Sequence, residues 1–188
     1  LMIFSSNAVE LDGPTADRPV FVNEAGWPVL DPTVTDRPSD EALDEAFYRL
    51  ALSGRISELS DSQRANLAER ASDVLDSEEG QLRSSAFTVL YHIATIDNSV
   101  VPAMTDAARV EQNRWLGRHM SRLLDKLNTD GKLTESQIAN LKAISDYGHT
   151  GRNGVYDPSK DPRPINLRYE KAILEDWNRM GYNCAYKG

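Results

Sequence analysis

Cysteine is almost missing from this chain. Cys184 stands alone among 188 residues, which excludes an intramolecular disulfide framework and is compatible with a reducing compartment. Long apolar runs are missing too: none approaches the ~18 residues that would cross a bilayer, so no membrane span is expected. Basic residues are outnumbered, 21 against 29 acidic, and the resulting net charge of −8 argues against nucleic acid or an anionic membrane as a general partner. The opening LMIFSSNAVELDG lacks the basic n-region and long apolar core of a signal peptide. It starts on Leu1 rather than Met, as an excerpt of a longer protein or a cloning remnant would. Gly-rich phosphate loops, zinc-ligand spacings and nucleophile elbows are absent as well, so no cofactor is expected.

What is present suits one helical domain with an arm. Hydrophobic residues make up 40% of the chain, enough for an ordinary core that needs no covalent staples. Residues 1–38 contain Pro14, Pro19, Pro28, Pro32 and Pro38, which remove amide donors and break helical register, so an extended Pro-rich arm is expected there. Within it Val20–Val22 and Trp27–Leu30 flank Asn23–Gly26, a pattern for a short hairpin or for a segment lying along the helices, with Trp27 docked on the core.

Residues 39–188 carry signals for six helices. Ser39 or Asp40 caps the first, whose face is Leu43, Ala46, Phe47, Leu50 and Ala51 before the stop at Ser53-Gly54. Ser60 and Gln63 form a capping box for the second, which carries Leu67, Ala68, Ala71, Val74 and Leu75 and ends in the acids Glu78-Glu79, at the unfavourable end of its dipole. From Gln81 to Ile96 apolar residues wrap more than one face, which marks a central helix. Asp97–Ser99 breaks it, and Pro102 is expected in a bridge to a cap at Thr105.

The stretch Thr105–Gly148 then reads as helix, tight turn and helix. Leu116, Met120, Leu123, Leu124 and Leu127 lie on one stripe; Asp130-Gly131 reverses the chain; Thr134 and Gln137 form a capping box with Leu133 and Ile138 as its staple. A sixth helix, capped by Asn166, carries Tyr169, Ile173, Trp177 and Met180. The fold class expected is all-α, a bundle of roughly six helices.

Asp125–Gln137, DKLNTDGKLTESQ, resembles a degenerate EF-hand loop in its Gly131, its Leu133 and its flanking helices. The resemblance implies Asp125, Asn128 and Asp130 as metal ligands. With Gly131 in the sixth position, however, Lys126 stands where the first acid belongs and Gln137 where a bidentate Glu closes the shell. A capped turn accounts for these residues without metal, so calcium is not expected.

Other chemistry is scattered. His149, Asp157 and Cys184 are the candidates for a catalytic group. His149, Arg152, Asn153, Tyr156, Asp157 and Lys160 share a Gly- and Pro-rich loop at 147–164, of the kind that carries binding on rigid scaffolds. His92 is read as a core or rim residue of the central helix. His119, between Arg118 and Arg122, is read as solvated, and Arg109, Arg114, Arg118 and Arg122 as a salt-bridged face with Glu111 and Asp125. An acidic, cysteine-poor helical domain with an arm suits a bacterial virulence or regulatory protein that binds another protein, with Trp27, Arg152 and Tyr156 as aromatic and Arg anchors. The alternatives are a small helical enzyme using the loop with Cys184, and an EF-hand-like calcium-responsive protein.

Overall fold

The computed structural model describes residues 9–11 and 19–145, and within them the fold is an all-α bundle carrying a small sheet. Three short antiparallel strands, β1 (Val9–Leu11), β2 (Val20–Val22) and β3 (Pro28–Val29), pair in the order β1-β2-β3. Six α-helices follow among the described residues: α1 (Asp40–Ser53), α2 (Asp61–Asp73), α3 (Gly80–Ala94), α4 (Val101–Val110), α5 (Arg114–Thr129) and α6 (Glu135–Ser145).

α3 is the centre. Almost every side chain from Leu82 to Ala94 is buried, because α1, α2, α4 and α5 all pack on it. Ser84, Ser85 and Thr88 are small enough for close helix approach, and their hydroxyls are satisfied: Ser85 donates to Asp44 Oδ1 at 2.5 Å and Thr88 to the Ser84 carbonyl at 2.9 Å. α4 and α5 pack on each other, and α6 closes against both.

The arm is not detached from this core. Val20, Val22, Trp27 and Val29 all belong to it, β2 and β3 lying against α1. Pro28 can pair because β3 is the edge strand, where a missing amide donor goes unnoticed by the ladder. Asn23 holds the hairpin turn. Its side-chain carbonyl accepts from Trp27 N at 2.9 Å while its amide donates to the carbonyls of Val34 and Thr35, at 3.1 and 3.2 Å. At Gly26, with φ +87°, a Cβ would stand 2.6 Å from the Asn66 backbone, so the turn is seated directly on α2.

Local start signals are met where the sequence places them. Ser39 Oγ accepts from Ala42 N, Gly54 ends α1 in the left-handed region, and both halves of the Ser60–Gln63 capping box form. Thr134 and Gln137 likewise exchange bonds, Gln137 N to Thr134 Oγ1 at 3.3 Å and Thr134 N to Gln137 Oε1 at 2.9 Å.

Three expectations need correction. Pro102 does not bridge two elements but occupies the first turn of α4, where its missing amide would have had no partner, and Thr105 lies inside that helix with its hydroxyl on the Val101 carbonyl. The expected single helix from Thr105 is therefore two, broken at Glu111–Asn113, and Asn113 is the cap of α5, accepting from Trp115 N and Leu116 N at 3.0 Å. Glu79, finally, stands at the N-cap position of α3, without a side-chain capping bond, so the Glu78-Glu79 acids sit at the favourable end of a dipole. The sixth expected helix, from Asn166, lies outside the described residues.

Candidate functional site

α2, the end of α3 and the 3-10 turn Asn98–Val100 enclose a groove of about 410 Å³. Ala65, Ala68, Ile93, Ile96 and Val100 supply its apolar lining, with Asp61, Arg64, Asp97 and Ser99 around them. Ile96 is 47% exposed, a large side chain left open on the edge of a well-packed helix pair. It is there because α3 ends at Ala94: past the Thr95 cap, the chain turns away and Ile96 no longer follows the buried stripe.

The polar groups around the groove are fixed in place. The Arg64 guanidinium donates to the Leu59 carbonyl and to Asp61 Oδ1, and more weakly to the Ser57 carbonyl at 3.4 Å. Its side chain is only 14% exposed, whereas that of Asp61 is 97% exposed. Asp97 Oδ1 accepts from Ser99 N at 3.0 Å, capping the 3-10 turn. Hydrogen bonds from the Ser99 backbone and side chain, with a smaller pull from Arg64, hold its carboxyl below the ordinary range. Asp97 therefore presents negative charge to solvent at neutral pH.

A smaller concavity of about 270 Å³ lies between the end of α2 and the end of α4, beside Leu75, Val110 and Gln112. Arg83 and Glu111 line it, and they are bound to each other.

The EF-hand-like stretch is built as a helix end and a helix start. α5 continues through Asp125 and Asn128 to Thr129; Gly131, at φ +68°, then lets Lys132 N reach the Leu127 carbonyl at 2.9 Å and Gly131 N the Asn128 carbonyl at 3.0 Å. That pair of bonds is a Schellman closure. The Asp130 carboxylate meets Lys126 Nζ at 2.9 Å, and Asn98 ties the turn down by donating to the Lys132 carbonyl at 3.0 Å. Among the described residues no three His, Cys, Asp or Glu side chains gather as a metal shell would.

His119 is the chief misreading. It is 3% exposed, not solvated: it lies with Trp115, Leu116 and Leu123 on the face of α5 that packs on α3, and the helix's packing there outweighs the neighbouring Arg118 and Arg122. Its Nε2 lies 3.3 Å from Thr88 Oγ1; with the Thr88 proton directed to the Ser84 carbonyl, the tautomer protonated at Nε2 is the one that makes this contact a hydrogen bond. Burial, with a smaller contribution from Arg122, pushes its pKa down to about 3, so the ring is neutral at pH 7. His92 is half-buried at the rim as expected, its pKa lowered by burial.

The expected arginine face divides. Arg109 pairs with Asp106 at 3.5 Å, whereas Arg114 is buried, Arg118 lies 5.7 Å over the Trp115 ring, and Glu111 turns to Arg83. Trp27 docks on the core: it is 8% exposed, with the guanidiniums of Arg37 and Arg70 over its ring at 5.6 and 5.4 Å. Arg152, Tyr156, His149, Asp157 and Cys184 lie outside the described residues. Sequence reasoning overlooked the groove altogether; Ile96 next to Asp97, just past the end of an apolar stripe, was the signal available.

The architecture places the protein among the all-α bundles. Compared with family models, with curated proteins and with solved structures, the chain finds no match.

Proposed function

We propose that this protein is a non-enzymatic helical interaction module. The observation that supports it is the groove between α2 and α3: a preformed concavity with an open apolar side chain, Ile96, and charged groups held in fixed positions around it. Rigid surroundings matter, because a surface already ordered loses little further entropy when a partner seats on it. Arg152 and Tyr156 remain anchors proposed from sequence. Trp27 is withdrawn from that set, since its ring is occupied with Arg37, Arg70 and the core.

The experiment is crosslinking of the full chain in its native cells, followed by mass analysis of the adducts. A discrete adduct of fixed stoichiometry with one other protein is the expected result. Recovery of the chain only as uncrosslinked monomer, at expression levels where the native host shows a phenotype on its deletion, would overturn the reading.

A further inference from the structure

We propose that the groove formed by α2 and the end of α3 takes a short segment of a partner protein that presents a branched or aromatic apolar side chain beside a Lys or Arg. This rests on the module reading and adds to it the chemistry of the partner.

The apolar half of the recognition comes from Ile96 and Val100, which line the groove together with Ala65 and Ala68. The two alanines of α2 leave room that a larger residue would fill, so the groove has depth for one inserted side chain. Ile96 loses its remaining water contact only when something is seated there, and that burial is the driving term.

The charged half comes from where the carboxylates stand. Arg64, the one cation among the described residues that line the groove, is turned inward: its guanidinium is committed to the Leu59 carbonyl and to Asp61, and its side chain is 14% exposed. Asp61, by contrast, is 97% exposed, and Asp97 is kept ionised by its bonds to Ser99. Among the described residues that line the groove, two carboxylates stand against one guanidinium, so the Arg64–Asp61 pair leaves the charge of Asp97 uncompensated, in a chain whose net charge is −8. A basic group next to the inserted side chain meets opposite charge, whereas an acidic segment is repelled, which gives discrimination as well as encounter rate.

The test is selection of a phage-displayed random peptide library on the full chain, with synthetic copies of enriched peptides titrated against variants. Enriched sequences are expected to pair an apolar side chain with Lys or Arg, and their affinity should fall as salt is raised. Ile96→Asp should weaken them about tenfold or more. Asp61→Asn with Asp97→Asn, which keeps an oxygen acceptor at each position and so preserves both local structures, should weaken binding and remove most of its salt dependence. Enriched peptides that are acidic or uncharged, or no enrichment, would overturn the proposal. Peptides indifferent to Ile96→Asp would overturn the groove as the site while leaving the module reading standing, since they bind elsewhere. Circular dichroism melts of each variant exclude unfolding as the cause of any loss.

Discussion

Glu111 and Arg83, 28 residues apart, form a two-pronged ion pair: Arg83 Nε and Nη2 donate to the two carboxylate oxygens of Glu111, each at 2.9 Å. The same carboxylate accepts from Asn113 N at 2.7 Å, and the same guanidinium donates to the Ser77 and Glu78 carbonyls at 2.6 and 3.2 Å. One pair thus ties the α2–α3 connection to the break between α4 and α5. The Arg83 side chain is 14% exposed and that of Glu111 4%, so neither charge has much water to fall back on.

Removing one partner should cost more than removing both. Glu111→Ala is expected to lose about 3 kcal/mol in urea unfolding, the lower end for an orphaned buried charge. Arg83→Met with Glu111→Leu should recover part of that loss. A single mutant melting with the parent would show that the pair does not hold the α4–α5 break.

Acid should destabilise the fold through His119. Its folded-state pKa of about 3 lies below the ordinary 6.5, so between those values the unfolded chain binds a proton that the folded chain refuses. Stability from this group is present above pH 6.5 and is lost as pH falls toward 3, at roughly 1.4 kcal/mol per pH unit. Half-buried His92, with its pKa also lowered, acts in the same direction. His119→Gln should flatten the dependence of unfolding free energy on pH across that window; an unchanged slope would place the titration elsewhere.

Gly26→Ala should be poorly tolerated. The new Cβ meets the Asn66 backbone at 2.6 Å from a residue at φ +87°, so both contact and conformation oppose it. A loss of roughly 2 kcal/mol is expected, with the Trp27 environment changing in the same variant. Unaltered near-ultraviolet dichroism and an unaltered melt would mean that the hairpin is not seated on α2.

At Thr134 the expected cost of Ala is about 0.5–2 kcal/mol. Gln137→Ala should cost at least as much as the cap alone, because its side chain also donates to the Asn98 carbonyl at 2.9 Å and so joins α6 to the 3-10 turn. Equal melts for parent and Thr134→Ala would contradict the cap.

Millimolar calcium should leave the melting temperature nearly unchanged. Asp125 and Asn128 are part of α5, Asp130 is paired with Lys126, and binding would require that helix end to open. A rise of several degrees, abolished by Asp130→Ala, would instead restore the EF-hand reading.

Helix starts at Ser39, Ser60 and Thr134, the central place of α3 and the all-α class follow from the chain read in order. Each depends on residues within about four positions, where backbone and side chain meet whatever the rest of the molecule does. The α4–α5 break was equally local, and Asn113 announced it; counting Pro102 as a breaker rather than as a first-turn residue hid it.

Other features have no local cause. His119 is neutral and buried because α3 presents Thr88 opposite it; Trp27 is held because Arg37 and Arg70 arrive over its ring from separate parts of the chain. Glu111 faces Arg83 across 28 residues, and the groove exists only where α2 passes the end of α3. A sequence states which side chains a segment can bury or charge, and so it determined the helices and their apolar faces. Which charges pair, which histidine loses its water and where a concavity stays open depend on distances between segments remote in the chain, and only the packing of the helices decided them.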